Sequence, residues 1–318
     1  GENTEEGTIH GENTSERTRA REHGETAGRP ARWFDAGMRF GIDLARCNPN
    51  RWRELAQAAD ELGFESLWLP EHLIMPATLT SSPAPDRAHG RVDPQMPIYD
   101  AFAMLAALAA ITTRIRVGTN VFNIGLRHPF VTARGAATVD IVSQGRFDLG
   151  VGASWLADEW HAVGLDFATR GARVDEAIRV CRRLWTEPVI AHDGEHFRFD
   201  AVVFEPKPVQ PRLPVHVGGD SPRALRRAAE LGDGWIGMLH DPQSFTASVE
   251  QLRRRCDAAA RDIGELQRSA IVAQPTHDDV RDWANAGATR LIVAPWRRSA
   301  SAVDDLAAFA TQHDLSTE

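Results

Sequence analysis

Cysteine is scarce in this chain, which has only Cys47, Cys181 and Cys256 among its 318 residues. Three cysteines so far apart do not form the framework of a disulfide-stapled domain or of a zinc site. Clusters of histidine, aspartate and glutamate with metal-ligand spacing are also lacking, so no metal site is predicted. We therefore expect free thiols in a reducing, cytoplasmic environment.

The chain also lacks an excess of positive charge and lacks long apolar runs. Its formal net charge is −8, which argues against a nucleic-acid partner. The longest apolar run covers residues 101–111 and is alanine-rich, whereas a membrane-spanning helix needs about 20 residues. We expect a protein that binds neither nucleic acid nor membrane and whose partner is a small organic molecule.

Several familiar motifs are missing as well. Gly150 and Gly152 begin a pattern like that of dinucleotide-binding folds, but Trp155 stands where its third glycine belongs. The sequence contains no Walker phosphate loop and no nucleophile elbow of the Gly-x-Ser-x-Gly type. These absences argue against the common routes to nicotinamide, nucleotide and serine-hydrolase chemistry.

The N-terminal segment has very few apolar side chains. Between residues 1 and 30 they are Ile9, Ala20 and Ala27, and glycine, glutamate, threonine and arginine dominate. Such a segment cannot bury enough surface to offset the entropy lost on ordering. We interpret residues 1–37 as a disordered leader and residues 38–318 as the folded domain.

From residue 38 onward, predicted strands alternate with predicted helices. Amphipathic helical patterns separate short apolar segments, and a hairpin is predicted over residues 192–199. The predicted strands cover residues 38–43, 66–69, 115–121, 146–151, 215–217, 234–237, 269–272 and 291–293. Eight such repeats predict a (β/α)8 TIM barrel with inserted loops. An open, doubly wound sheet is the alternative.

His72 follows the second predicted strand directly. In a barrel, the carboxyl ends of the strands carry the functional side chains. A histidine there can hold a substrate or exchange a proton near neutral pH. The alternative is a histidine that fixes its own loop through a backbone hydrogen bond.

Polar and glycine residues follow the third, fourth and fifth predicted strands. Asn120 and Asn123 offer amide donors and acceptors for a planar heterocycle, or they form an ordinary strand-end turn. Gly152 allows a ligand to approach the backbone closely. The segment 218–221 has two glycines before a helix and suits a phosphate cradle, while Ser221 also fits a simple helix N-cap.

These segments together resemble the bacterial luciferase-like monooxygenase superfamily. The resemblance rests on WLPEHLIMP, on RIRVGTNVFNIGLRHP, on the block from SQGRFDLGVGASW to RGARVDEAI, and on PKPVQPRLPVHVGGDSP. It covers about residues 38–237, with the motifs in order. Within the superfamily, the LPEHLIMP loop and the RGARVDE motif look most like the deazaflavin-dependent oxidoreductases, which use coenzyme F420.

The resemblance implies specific roles. His72 matches a histidine that contacts the deazaflavin ring and is the expected catalytic residue. Asn120 and Val121 match the residues flanking a non-proline cis peptide bond beneath the ring. The full set expected to bind the cofactor is Asp43, His72, Asn120, Val121, Asn123, Gly152, Ala153, Ser154, Gly218, Gly219, Asp220 and Ser221.

One position departs from the family pattern. Sugar-phosphate dehydrogenases of the family carry a glutamate acid about where Trp155 stands, and tryptophan cannot donate that proton. The expected activity is therefore hydride transfer between F420 and an apolar or aromatic organic substrate. The alternatives are an FMN-dependent monooxygenase and a non-catalytic flavin-binding barrel. Relatives pair through helices near strands two to four, so we also expect a homodimer with Phe102, Leu105, Leu108 and Phe130 in the contact.

Overall fold

The computed structural model describes residues 37–78 and 93–315. The predicted leader, residues 1–37, lies outside the described part except for its last residue. The described chain forms a closed barrel of eight parallel strands in the order β1-β10-β9-β8-β7-β4-β3-β2. The barrel strands are β1 (Arg39–Asp43), β2 (Ser66–Leu69), β3 (Arg116–Thr119), β4 (Phe147–Val151), β7 (Val215–Gly218), β8 (Gly234–Gly237), β9 (Gln267–Ile271) and β10 (Arg290–Val293). The (β/α)8 prediction is confirmed, and the open-sheet alternative is wrong because β1 pairs with both β2 and β10.

Helices connect the strands and cover the outside of the barrel. They are α1 (Trp52–Glu61), α2 (Ala101–Ala109), α3 (Pro129–Val142), α4 (Ala157–Ala162), α5 (Arg170–Thr186), α6 (Pro222–Leu231), α7 (Pro242–Ala258), α8 (His277–Asn285) and α9 (Ala302–Gln312). Local sequence sets several of their starts: Asp241 and Thr276 form capping boxes, and Ser221 caps α6 ahead of Pro222. The predicted hairpin is present as β5 (Ile190–Asp193) and β6 (Arg198–Val202), which pair antiparallel. Within the described residues, no helix combines the length and apolar character needed to cross a bilayer.

The structure differs from the sequence-based prediction at the end of the third barrel strand, which was predicted to run to residue 121. Strand β3 ends at Thr119, and the Asn120–Val121 peptide bond that follows is cis, as the resemblance implied. The short helix α4 lies in the connection between β4 and α5. A separate short turn forms over Ile263–Glu265, after the end of α7.

A small apolar cluster lies apart from the main core. It consists of Trp68, Ile236 and Ile292, all fully buried, while Leu67 and Leu69 belong to the larger core. Because successive strand residues point to opposite sides, Trp68 faces the barrel interior and its neighbours face the helices. The interior is therefore filled beneath the carboxyl ends of the strands.

Charged residues close the opposite end of the barrel. Arg290 pairs with Glu65, and Arg116 lies 2.6 Å from Asp148. Burial alone raises the pKa of Asp148, but the neighbouring Arg116 and His216 outweigh it and hold the pKa well below its usual range. This network is structural, since it lies at the end of the barrel away from the functional loops.

The side chain of Asp60, in α1, anchors the segment that enters β3. Its oxygens accept hydrogen bonds from the backbone N–H groups of Thr113, Arg114 and Ile115 at 2.7, 2.8 and 2.6 Å. Burial raises the pKa of this carboxyl, and the three backbone donors outweigh burial and lower it. The contact thus depends on the ionised form of Asp60.

Candidate active site

A large cavity, the main cavity, opens at the carboxyl ends of the barrel strands. It has a volume of about 1100 Å³ and is formed by the loops after β2, β3, β4, β7 and β8. Typical small-molecule sites measure roughly 300–1,000 Å³, so this one is large enough for a cofactor together with a substrate.

The main cavity brings together all of the predicted site residues except one. Those that line it are His72, Asn120, Val121, Asn123, Gly152, Ala153, Ser154, Gly218, Gly219, Asp220 and Ser221. Asp43 is not among the lining residues. Its carboxylate instead accepts a hydrogen bond from the N–H of Ala45 and lies 3.4 Å from Arg46, and burial raises its pKa. The prediction that Asp43 faces the cofactor is therefore not supported by its position, because the carboxylate turns back to cap the next turn of its own chain.

His72 is held by a buried carboxylate. Its Nδ1 lies 3.1 Å from Oε2 of Glu159, whose side chain is completely buried. The same carboxylate accepts hydrogen bonds from the N–H of Leu73 at 2.6 Å and from Oγ of Ser154 at 3.1 Å. This contact is a charge pairing by distance, because Nδ1 makes no hydrogen bond within the described residues. Nε2 is the other ring nitrogen that can exchange a proton with a ligand. The edge of Trp155 contacts the same ring, with 5.5 Å between ring centroids.

The carboxylate of Glu71 links the loop after β2 to the loop after β3. Its carboxylate accepts hydrogen bonds from the backbone N–H of Asn123 at 3.0 Å and from Nη2 of Arg127 at 2.5 Å. The side-chain amide of Asn123 donates to the backbone oxygen of Glu71 at 3.4 Å. The donors of Asn123 are therefore committed to the protein, which limits the part this residue can take in binding a heterocycle.

Asn120 and Val121 form the floor of the main cavity. Oδ1 of Asn120 is buried and has no hydrogen-bond partner in the described chain. A buried acceptor without a partner is costly, so it suits a ligand that brings an N–H donor. Val121 packs against the cluster of Trp68, Ile236 and Ile292 inside the barrel. Its Cγ2 methyl lies 2.5 Å from where a Cβ at Gly152 would stand, and its Cγ1 methyl lies 2.7 Å from where a Cβ at Gly218 would stand. These two glycines thus make room for Val121.

The segment after β7 has the form of an anion cradle. Gly219 adopts a left-handed φ of +106°, and a Cβ there would meet only the Cβ of Ala224, at 3.5 Å. Ser221 accepts a hydrogen bond from the N–H of Ala224 and caps α6, so both interpretations of Ser221 describe the same turn. The first turn of α6 also exposes Arg223, which lines the main cavity. Helix N-terminus, left-handed glycine and arginine together favour a phosphate group.

Asp220 turns away from that cradle. Its carboxylate accepts a hydrogen bond from the N–H of Met238 and lies 2.7 Å from Nε2 of His240. Nδ1 of His240 in turn lies 3.2 Å from Oγ of Ser244. Asp220 thus connects the loop after β7 to the loop after β8.

Further arginines line the wall beside the cradle. Arg226 lies 2.7 Å from Asp175, and Arg227 pairs with the same carboxylate. The guanidinium of Arg170 stacks on the ring of Phe167 at 3.9 Å from its centroid. Arg226 also pairs with Glu230, so two carboxylates balance two of these three arginines. With Arg223 added, this wall of the main cavity carries an excess of positive charge and suits an anionic ligand.

A second, smaller cavity, the side pocket, adjoins the main cavity at His72. It has a volume of about 90 Å³ and shares Ala45, Pro70, Glu71, His72 and Met96 with the larger one. The remaining walls are mostly apolar, and they include Cys47, Trp52, Leu69, Pro97, Ile98 and Tyr99.

Comparison with known proteins agrees with this geometry. The family model described as luciferase-like monooxygenase matches residues 19–317. The chain belongs to the luciferase-like monooxygenase family. An uncharacterized protein of Mycobacterium tuberculosis is 33% identical over 256 residues, covering 80% of this chain and 89% of that protein. An F420-dependent glucose-6-phosphate dehydrogenase of Kineococcus radiotolerans is 32% identical over 239 residues, covering 73% and 65%.

The fold of this luciferase-like chain is also found among solved structures. An F420-dependent secondary alcohol dehydrogenase in complex with an F420–acetone adduct superposes with a TM-score of 0.73 at 16% identity, covering 89% of this chain and 100% of that one. Such low identity shows the shared fold alone. The resemblance predicted from the motifs is confirmed, and deazaflavin-dependent oxidoreductases are among the relatives of this family member.

Sequence reasoning missed three residues of this luciferase-like site. Glu159 lies within the block from SQGRFDLGVGASW to RGARVDEAI, but its only signal is an acidic residue beside the apolar Trp160. His240 follows β8, a position at which the barrel rule expects function. Arg223 was visible as a basic residue in the first turn after the glycines. Each of the three lies close in sequence to a predicted strand end, but only the closed barrel shows that it lies at the site.

Proposed function

We propose that this protein transfers a hydride between coenzyme F420 and an alcohol or carbonyl compound, with His72 moving the proton. The observation that carries the proposal is that His72, 3.1 Å from the buried carboxylate of Glu159, lines the same cavity as the anion cradle. The 32% identical F420-dependent glucose-6-phosphate dehydrogenase supports this reaction class.

The residues present fit a cofactor with a polar ring and an anionic tail. Oδ1 of Asn120 would accept a hydrogen bond from a ring N–H, and the side chain of Val121 would give the ring an apolar surface to pack on. Gly219 and the start of α6 would hold a phosphate, with Arg223 close by. When bound, the deazaflavin supplies the hydride acceptor or donor.

His72 accounts for the proton. In the oxidising direction Nε2 of His72 would take the O–H proton of an alcohol, while the deazaflavin would accept the hydride from the C–H bond that breaks. The products are a carbonyl compound and the reduced cofactor. In the reducing direction the protonated His72 returns the proton to the carbonyl oxygen. Glu159 holds the ring in place and opposes the positive charge that it carries in between.

Trp155 bears on the choice of substrate. It lines the main cavity where a sugar-phosphate dehydrogenase is expected to place an acid, and Glu159, four residues on, is completely buried against His72. An apolar substrate therefore suits this wall better than a sugar phosphate.

A fluorescence titration followed by a turnover assay tests the proposal. The purified chain should bind F420 more tightly than FMN, and alcohols or carbonyl compounds should change the deazaflavin absorbance catalytically. Tighter binding of FMN, with oxygen consumption once it is reduced, would favour the flavin monooxygenase that the family description suggests. Tight binding of F420 without turnover across the substrate panel would favour a non-catalytic carrier.

We also propose that the protein is a homodimer. Two of the predicted contact residues, Leu105 and Leu108, are buried in the core of the protomer and are not available. Helix α3 instead exposes Val131, Ile141 and Val142, with 58%, 37% and 41% of their surface accessible. Light scattering at micromolar concentration tests the pairing, and Val131→Glu should weaken it; a wild-type monomer would overturn it.

A further inference from the structure

We propose that the side pocket binds a short, unbranched alkyl arm of the substrate and places the reacting carbon beside His72. This inference rests on the proposed function and narrows its substrate class. It identifies the preferred substrates as secondary alcohols or ketones with one arm of about four carbons, rather than aromatic compounds.

The position of the side pocket supports this occupant. His72 lies on the boundary between the two cavities, together with Pro70 and Met96. A substrate whose oxygen reaches His72 can therefore extend one arm into the side pocket while its reacting carbon stays in the main cavity. The anion cradle belongs to the main cavity only, so cofactor and alkyl arm do not compete for space.

The polar groups of Trp52 and Glu71, two of the wall residues, are already engaged elsewhere. Nε1 of Trp52 donates to the backbone oxygens of Leu44 and Cys47 at 3.1 and 3.0 Å, so the indole presents only apolar surface. The oxygens of Glu71 accept hydrogen bonds from Asn123 and Arg127. The Cys47 side chain is buried, and burial raises the pKa of its thiol, so it stays neutral and behaves as a small apolar group. A hydrocarbon arm thus fits these walls and a charged one does not.

The volume sets the size of the arm. A cavity of roughly 150 Å³ lined by apolar side chains holds benzene, which has six carbons. The side pocket measures about 90 Å³. In proportion, it accommodates about four carbons in a chain and excludes an aromatic ring.

A homologous series of 2-alkanones, from acetone to 2-octanone, tests the proposal. Dissociation constants are measured by ligand-observed NMR on the full chain, with and without F420. Each added methylene should tighten binding about fourfold until the longer arm has about four carbons, after which the gain should stop. A constant gain along the whole series, or none, would overturn the side pocket as the alkyl site.

Substitutions at Cys47 move the expected limit in opposite directions. Cys47→Leu fills the side pocket and should shorten the preferred arm, while Cys47→Ala enlarges it and should lengthen the arm. Cys256→Ala is the matched control, because Cys256 is a buried cysteine in α7 that lines neither cavity. If Cys47→Leu fails to fold, Cys47→Ala still decides, since an unchanged limit there contradicts the proposal.

The two proposals fail in different ways. In one outcome F420 does not bind or no hydride is transferred, but the Cys47 substitutions still shift the chain-length limit in the F420-free protein. The proposed function is then wrong, and the side pocket remains an alkyl site. If hydride transfer proceeds but the Cys47 substitutions leave the limit unchanged, the further inference alone is wrong. Xenon-pressurised crystals give an independent check, since xenon should enter the side pocket of the wild-type protein and be excluded by Cys47→Leu.

Discussion

The Glu159 carboxylate and the His72 ring lie 3.1 Å apart at the edge of the main cavity, with the carboxylate completely buried. Burying a carboxylate without hydrogen-bond donors costs folding free energy. The N–H of Leu73 and the hydroxyl of Ser154 donate to Glu159 and offset this cost. The buried carboxylate thus places a negative charge next to the ring of His72.

His72→Ala should lower turnover by about 10²- to 10⁴-fold, the usual contribution of a proton-transferring side chain. The F420 dissociation constant and the melting temperature should change far less, because the N–H of Leu73 and the hydroxyl of Ser154 still donate to the buried Glu159 carboxylate. Stopped-flow turnover, fluorescence titration and thermal unfolding measure the three quantities. If turnover stays the same, His72 only fixes its loop.

Glu159→Gln keeps the size of the side chain and removes its charge. We expect turnover to fall by about 10- to 100-fold, as when a carboxylate that orients a functional histidine is lost. In the His72→Ala background the same substitution should have no further effect on turnover, because Glu159 acts through the ring. Additive losses in the double variant would show that Glu159 serves the fold and not His72.

Gly219→Asp should weaken phosphate-bearing cofactors much more than the bare deazaflavin ring. The new carboxylate would lie at the cradle and repel a phosphate, and the left-handed φ of +106° adds backbone strain. Gly164→Asp is the matched control, since Gly164 also has a left-handed φ, of +74°, with open space around its Cβ, but lies outside the main cavity. If Gly219→Asp weakened the binding of both ligands equally, Gly219 would only shape the turn and would not contact the phosphate.

Gly218→Ala should destabilise the protein by about 1–3 kcal/mol, the usual cost of overpacking. Its Cβ would lie 2.7 Å from Cγ1 of Val121, which is too close for any real contact. Val121→Ala removes that methyl group and leaves the Val121 Cβ 3.6 Å away, an ordinary contact. The double variant should therefore be more stable than Gly218→Ala alone in urea unfolding. If Val121→Ala gives no rescue, the clash lies elsewhere.

Asp60→Asn should lower the free energy of unfolding by about 1.5–3 kcal/mol at pH 7, the range for hydrogen bonds to a charged group. The pKa of Asp60 is lowered in the folded state, so its contribution is complete above the unfolded value of about 3.9 and is lost as the pH falls through the folded value. The difference between wild type and variant should therefore shrink below about pH 4. Urea unfolding from pH 7 to pH 2.5 measures it, and a constant difference would contradict the role of the charge.

Much of this protein could be predicted from sequence because its barrel repeats one simple pattern. The apolar segment before His72 and the glycines after the fourth and fifth barrel strands mark strand ends, and those ends meet wherever the barrel closes. The partners of the site could not be predicted in this way. Glu159 is an acidic residue in a short helix, and nothing local shows that its carboxylate is buried. Asp43 shows a second limit, since its carboxylate accepts a hydrogen bond from the N–H of Ala45, in its own turn, and its part in cofactor binding stays a prediction.

The hydrogen bonds of Glu71 and Glu159 have a consequence for how new specificities arise in this barrel. Glu71 joins the loop after β2 to the loop after β3, and Glu159 joins the loop after β4 to His72 and Leu73. Three loops therefore form one mechanical unit. An exchange of any one of them with a homologue would separate a buried carboxylate from its donors, so these loops can be transplanted, or can diverge, only as a set.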